Sequence, residues 1–186
     1  MLLLVGLGNP GSNYTNTRHN IGFKIIDAIN AHFKLSKQKP KFKGLLTTGN
    51  IDEKKIYAIK PLTFMNNSGT AIKELIDYFK IDAKDVFVFH DDLDIDFGKI
   101  KAKFGGSSAG HNGIESIDKF IGKEYSRVRI GIGKPNTKLD VSDFVLKNFD
   151  EEEIQELKKI TTNITNSLSI LIDKKLDLFS STVNNN

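Results

Sequence analysis

The chain of 186 residues contains no cysteine, which excludes disulfide bonds, thiolate metal sites and a cysteine nucleophile. It also lacks the run of about 18 apolar residues that a membrane-spanning helix needs. Its apolar N-terminal residues are not preceded by a basic segment, nor followed by a signal-type cleavage site, so they predict a first strand. These absences predict a protein of the reducing cytoplasm with no membrane partner.

Linkers and internal repeats are also missing, and the length is that of one domain with a substantial core. Hydrophobic residues make up 39% and charged residues 27%, which excludes collagen-like and wholly disordered chains. We predict one domain over residues 1–179 and a polar tail over residues 180–186.

Arginine is scarce, with three residues against 24 lysines, although the formal net charge is +4. The basic excess lies in residues 1–50, which carry seven basic side chains and one acidic one. Such an excess is typical of proteins with a polyanionic partner such as a nucleic acid. The lysines at 37, 39, 41 and 43 are equally compatible with a solvated loop, so charge alone leaves both alternatives open.

Short apolar runs alternate with segments of helical periodicity along the whole chain. This alternation predicts a single α/β domain with a mixed, mostly parallel twisted sheet covered by helices. The predicted strands are 2–5, 45–48, 56–59, 86–89, 99–104 and 127–132, and the predicted helices are 20–33, 68–79, 114–121 and 150–172. The second and third strands form a predicted hairpin.

A glycine pattern at 6, 8 and 11 follows the first strand and matches the dinucleotide-binding fingerprint. In that fold the helix begins inside the motif, so that its N-terminus meets the pyrophosphate. Here a polar stretch separates Gly11 from the first helical pattern. A nicotinamide oxidoreductase is therefore a minor alternative.

Two further motifs favour structural roles. Residues 106–110 match the nucleophile-elbow pattern with Ser108 at its centre, but the one later histidine, His111, is too near in sequence to complete a triad. Asp92, Asp94 and Asp96 resemble the start of a calcium loop but lack its later glycine and glutamate, which favours a hairpin turn. The four histidines lie far apart in sequence, and no metal site is predicted.

Amide, imidazole and carboxylate side chains recur where predicted strands end. These are Asn9, His19, Asn66, His90, Asp91, His111 and Asn112. A histidine oriented by a carboxylate is a general base, and amides can bind a developing oxyanion. Each residue alone is better explained as a turn former or a cap. Together they favour a hydrolase that activates water without metal, while the substrate stays open.

The chain resembles the bacterial peptidyl-tRNA hydrolases from residue 2 to about 175. The matching segments occur in the family's order, with Tyr14 between the first two: Val5-Gly-Leu-Gly-Asn-Pro-Gly11, Thr17-Arg-His-Asn-Ile-Gly22, Lys60-Pro-Leu-Thr-Phe-Met-Asn-Asn-Ser-Gly69, His90-Asp-Asp-Leu-Asp94, Gly110-His-Asn-Gly113 and Arg127-Val-Arg-Ile-Gly-Ile-Gly133. Six motifs in register are far more specific than any one of them.

The resemblance implies a monomeric enzyme without cofactor that cleaves the ester between a peptide and the 3′ ribose of tRNA, recycling tRNA from aborted translation. It implies that His19 activates water, that Asp91 supports it, and that Asn9 reads the first N–H of the peptide. N-blocked esters would then be preferred over free aminoacyl-tRNA.

The resemblance also implies substrate-binding positions. They are Asn66 and Asn112 as substrate-binding amides, one of them near the scissile carbonyl, His111 as a further substrate-binding residue, Tyr14 and Phe64 beside the tRNA 3′ end, Met65 as a wall, and Lys103 and Arg129 near phosphates. Because phosphate contacts carry no sequence information, recognition would be independent of the tRNA sequence. The loop 105–110 is a hypothetical mobile gate, from its glycines and serines. A tRNA-binding protein of the same fold without catalysis is the alternative from another class.

Overall fold

The computed structural model describes residues 1–135 and 140–186. Seven strands form one mixed sheet over these residues, and helices cover both of its faces, which confirms the predicted fold class. The strands are β1 (Leu2–Gly6), β2 (Lys39–Lys41), β3 (Gly44–Ile51), β4 (Lys54–Pro61), β5 (Val86–Asp92), β6 (Ile100–Phe104) and β7 (Ser126–Gly131). The helices are α1 (Ile21–His32), α2 (Ser68–Phe79), α3 (Asn112–Ile121), α4 (Val141–Val145), α5 (Glu151–Asn166), α6 (Leu168–Ile172) and α7 (Leu176–Asn184).

The strand order is β2-β3-β4-β1-β5-β7-β6. Parallel pairs join the four central strands β4, β1, β5 and β7, and antiparallel pairs add the flanking strands. The carboxyl ends of the parallel strands therefore meet at one edge of the sheet, where ligands bind in open α/β folds.

Strand β1 and residues 86–89 of β5 are apolar on both faces because each face packs against helices. Leu4 and Phe87 contribute to a core that includes α1, α5, α6 and α7, whereas Leu3 and Val88 contribute to a core that includes α2 and α3. Within the described residues, no helix is both long and apolar enough to cross a membrane.

The glycine pattern after β1 serves close packing. A Cβ at Gly6 would collide with the Gly22 carbonyl, so the first turn of α1 lies directly against the end of β1. Helix α1 begins at Ile21, ten residues beyond Gly11. Its N-terminus is therefore not part of the glycine loop, which agrees with the predicted polar stretch between Gly11 and the first helix.

One prediction about a loop is wrong, and one open alternative is sharpened. Residues 92–99 are not a hairpin turn, because β7 lies between β5 and β6 and the segment passes across it. The lysine cluster is not wholly a loop, because residues 39–41 form the edge strand β2. Alternation along one strand does not reveal which strand lies beside it, so the sequence could not decide either point.

The predicted polar tail is also wrong, because residues 180–184 belong to α7. The Ser180 hydroxyl accepts a hydrogen bond from the Ala102 amide at 2.9 Å. The Asn184 side chain accepts from the Ile100 N–H at 2.9 Å and donates to the Ile100 carbonyl at 2.7 Å. These polar side chains satisfy the open edge of β6, a task that sequence polarity does not distinguish from solvation.

The long helix predicted for 150–172 begins as expected, with a capping box between Asp150 and Glu153. It is interrupted at Ser167, which separates α5 from α6. Apolar residues continue on the buried side across the interruption, so the periodicity of the sequence conceals it.

Candidate active site

A cavity of about 920 Å³ opens at the carboxyl edge of the central strands, within the usual size range of small-molecule sites. The loop after β1, the end of β5, the loops 64–66 and 108–112, and α4 all contribute to it. Eight of the predicted site residues line it: Asn9, His19, Phe64, Met65, Asn66, Asp91, His111 and Asn112.

His19 lies in a short 3-10 turn, Arg18–Asn20, that leads into α1. Its Nδ1 lies 2.9 Å from each oxygen of Asp91, and both side chains are buried. Because the carboxylate only accepts, the hydrogen-bond pattern assigns the proton to Nδ1. The lone pair on Nε2 is then available in a residue that lines the cavity.

His111 binds the same carboxylate, with Nε2 at 2.9 Å from Asp91 Oδ1. It is also the N-cap of α3, where Nδ1 accepts from the Gly113 and Ile114 amides at 3.1 and 3.3 Å. Capping requires a bare Nδ1, so neutral His111 carries its proton on Nε2. His111 is therefore fixed as a donor to Asp91.

Asp91 is buried, which by itself would raise the pKa of its carboxyl. The attraction of His19 and His111 and their two hydrogen bonds outweigh this effect and hold the pKa well below its usual range. Asp91 is consequently a permanent anion at the floor of the cavity.

His90 is a third histidine of this group. Its ring centroid lies 5.0 Å from that of His111, and the His19 ring centroid lies 4.9 Å from that of His111. Complete burial and the neighbouring His111 lower the pKa of His90 to about 3. Three histidines that are distant in sequence therefore meet in the fold.

His19, Asp91 and His111 also have the composition of a metal site, with their ligand atoms within 4.8 Å of one another. A metal on His111 Nε2 would require the ring proton on Nδ1, where two backbone N–H groups already donate. The cap of α3 therefore opposes metal ligation by His111 and fits a hydrogen-bonded group instead.

Asn9 is held on three sides. The Asn20 side chain accepts from the backbone N–H of Asn9 through Oδ1 and donates to the backbone carbonyl of Asn9 through Nδ2, both at 2.9 Å. Asn9 Oδ1 accepts from the Met65 N–H at 2.7 Å, which orients the side-chain amide without ambiguity. Oδ1 keeps its second lone pair, and Nδ2 remains a donor toward the cavity.

Phe64 is a non-glycine residue with a left-handed backbone, φ 61°, and its side chain is exposed. Such strain costs about 1–3 kcal/mol and persists where surrounding structure enforces it. Here the Met65 bond to Asn9 fixes the following residue. The exposed amides Asn66 and Asn112 complete this side of the cavity.

The remaining predicted residues lie outside the cavity lining among the described residues. Tyr14 ends a 3-10 turn, Ser12–Tyr14, and is half-buried. Lys103 and Arg129 lie on β6 and β7, on the face of the sheet that carries α3. Burial and the nearby cations of Arg129 and Arg127 lower the pKa of Lys103, while Arg129 Nε donates to Asp92 at 2.7 Å.

Ser108 lines the cavity but is not paired with a histidine. Its hydroxyl lies 3.4 Å from Glu115 Oε1, and its carbonyl accepts from the His111 amide at 3.0 Å. This agrees with the structural role predicted for the serine. Sequence reasoning assigned no role to Arg18, Asn20 or Arg127. The scarcity of arginine was the available signal for two of them.

Comparisons with known proteins agree with this geometry. The family model described as peptidyl-tRNA hydrolase matches residues 3–186. A peptidyl-tRNA hydrolase of Pelagibacter ubique is 77% identical over 185 residues, covering 100% of both chains. That of Bacillus subtilis is 46% identical over 160 residues, covering 86% of this chain and 85% of its own. A crystal structure of peptidyl-tRNA hydrolase from Acinetobacter baumannii superposes with a TM-score of 0.92 and 34% identity, covering 99% of this chain and 94% of the other. The chain therefore belongs to the peptidyl-tRNA hydrolase family.

Proposed function

We propose that the chain hydrolyses the ester between an N-blocked aminoacyl or peptidyl group and the 3′ ribose of tRNA, without metal or cofactor. The observation that carries this proposal is the buried pair of His19 and Asp91, which leaves the His19 Nε2 lone pair for a water in the cavity. The activity would recycle tRNA from aborted translation.

In the first step His19 Nε2 takes a proton from water as the water oxygen attacks the ester carbonyl. Asp91 stabilises the imidazolium that forms. In the second step the tetrahedral intermediate breaks, and the imidazolium returns the proton to the departing 3′ oxygen of the ribose. General-base assistance of this kind contributes about 10²–10⁴-fold.

Asn9 has two groups to offer the substrate. Its Nδ2 can donate to the carbonyl oxygen on which negative charge develops, and the second lone pair of Oδ1 can accept the first peptide N–H. A free aminoacyl ester lacks that amide, which explains the proposed preference for blocked substrates. The bonds from Met65 and Asn20 hold Asn9 ready in this orientation.

We place the tRNA 3′ end against Tyr14 and Phe64, with Met65 as a neighbouring wall. Asn66, Asn112 and His111 then contact the substrate, one of the two amides near the scissile carbonyl. Lys103 and Arg129 then contact phosphates beyond the cavity. Arg129 suits this role because the Asp92 bond uses Nε and leaves the two terminal nitrogens to face an anion.

The decisive experiment incubates the protein with N-acetyl-aminoacyl-tRNA in EDTA, with unblocked aminoacyl-tRNA in parallel. We expect rapid release from the blocked ester alone. Release that requires an added divalent metal would contradict the metal-free mechanism. Binding of tRNA without any release would favour the alternative, a binding protein without catalysis.

We further propose that the chain acts as a monomer in the cytoplasm. Light scattering at the concentration of the activity assay should give a mass near 20.8 kDa. A dimer mass with full activity would contradict the monomer proposal.

A further inference from the structure

Arg18 precedes His19 and is one of three arginines in the chain. Its side chain is only 10% exposed. One terminal nitrogen, Nη2, donates to both carboxylate oxygens of Glu153 at 3.2 and 2.9 Å. The other, Nη1, donates to the carbonyls of Lys147 and Asn148 at 3.3 and 3.1 Å. Its partners therefore lie immediately after α4 and in the first turn of α5.

The face of the guanidinium packs on α4 itself. Its central carbon lies 4.4 Å from the ring centroid of Phe144. Three other residues of α4, Val141, Ser142 and Val145, line the cavity. The helix thus lies between the substrate cavity and Arg18.

The backbone repeats this connection. Arg18 N donates to Lys147 O at 3.1 Å, and Phe149 N donates to Asn16 O at 3.0 Å. Glu153 is in turn part of the capping box of α5, a helix anchored in the core. The turn that carries His19 and the segment that follows α4 are therefore hydrogen-bonded to each other, and both are anchored through Glu153 to helix α5.

The three residues of this turn have three different partners. Arg18 contacts α4 and the segment after it, His19 binds Asp91, and Asn20 holds Asn9. Building on the proposed function, we propose that Arg18 is a positioning residue that sets the α4 wall of the substrate cavity relative to His19. It acts on where the substrate lies and takes no part in proton transfer.

The proposal depends on the planar fork of arginine. Lysine retains the charge facing Glu153 but can neither bind two carbonyls with a second nitrogen nor stack a flat face on Phe144. We therefore expect Arg18→Lys to behave like Arg18→Gln. In both variants the KM for N-acetyl-aminoacyl-tRNA should rise about three- to tenfold while kcat stays within about twofold.

Phe144→Leu should raise KM similarly, and adding it to Arg18→Lys should raise KM little further, because both changes remove the same contact. Ile164→Val in the core of α5 is the matched control for a general loss of stability. It should leave KM unchanged.

Hydrogen exchange supplies a readout that does not depend on turnover. Amides of residues 140–149 should exchange faster in Arg18→Lys than in the parent chain, and those of β1 should not change. Wild-type KM and exchange in Arg18→Lys would overturn the proposal, as would a fall in kcat at constant KM. If the parent chain released no product, the proposed function would fail, while the exchange experiment would still test Arg18.

Discussion

The floor of the cavity and the basic face beside it use polar residues in opposite ways. On the floor, Asp91 is buried, the His19 and His111 side chains are only 11% and 10% exposed, and their hydrogen bonds fix each proton. On the basic face, defined as Lys101, Lys103 and Arg129 of β6 and β7, the side chains are exposed or half-buried. Under the proposed function, the floor would serve chemistry at one atom, whereas the face would offer positive charge to a mobile polyanion.

The largest effect should follow from His19→Ala. Removal of the base should lower kcat by about 10²–10⁴-fold with little change in KM. Steady-state hydrolysis of N-acetyl-aminoacyl-tRNA measures both constants. His32→Ala, at the exposed end of α1, is the matched histidine control and should keep full activity. Comparable turnover in both variants would contradict the role of His19 as the base.

Asp91→Asn should lower kcat by about 10²-fold or more, because it favours the His19 tautomer whose Nε2 carries the proton and cannot act as a base. His111 can only donate toward this position, so the introduced amide must turn its oxygen to His111 and its N–H₂ to His19. His19 Nδ1 then accepts, and the proton moves to Nε2, where a base is needed. In an Asp91→Asn/His111→Ala double variant the amide can turn, and part of kcat should return. A double variant slower than Asp91→Asn would contradict this reasoning.

The buried floor should also make stability depend on pH. The pKa of His90 is about 3 in the fold, against about 6.5 for an ordinary histidine. Between these values the unfolded chain binds the additional proton, so the free energy of unfolding falls as the pH drops. The contribution has a slope of up to about 1.4 kcal/mol per pH unit. Urea unfolding at pH 4, 5 and 6 should show a shallower slope for His90→Asn than for the parent chain. Parallel slopes would contradict a buried, neutral His90.

The smallest effect should come from the basic face. Lys103→Ala should raise KM about two- to fivefold without changing kcat, because it removes one partly screened charge that would face a phosphate. It should also lower the slope of log KM against log salt by about 1, the change expected when one phosphate contact is lost. Lys158→Ala, an exposed lysine of α5, is the control. A change in kcat would show that Lys103 affects the chemical step, and it would contradict the proposed difference between the floor and the basic face.

The periodicity of the chain predicted most of the elements well. The predicted helix 68–79 coincides with α2, and the 45–48 and 56–59 strands form the predicted hairpin as β3 and β4. These segments have one buried face each or a continuous apolar run, so local pattern reflects their packing directly. The C-terminal helix α7 differs because its polar residues bind a sheet edge, and sequence does not show which polar groups meet backbone instead of water.

For the site, the sequence by itself determined which functional side chains are present and where they lie along the chain. It placed Asn9, His19 and Asp91 at strand ends or in loops, and it excluded cysteine chemistry. Only the tertiary structure decided which hydrogen bonds and packing contacts those groups make. Helix α3 fixes the proton of His111, Met65 orients Asn9, and Arg18 joins His19 to α4. The physical reason is that a hydrogen bond depends on distances of about 3 Å between atoms whose residues are far apart in the chain, and the fold alone sets those distances.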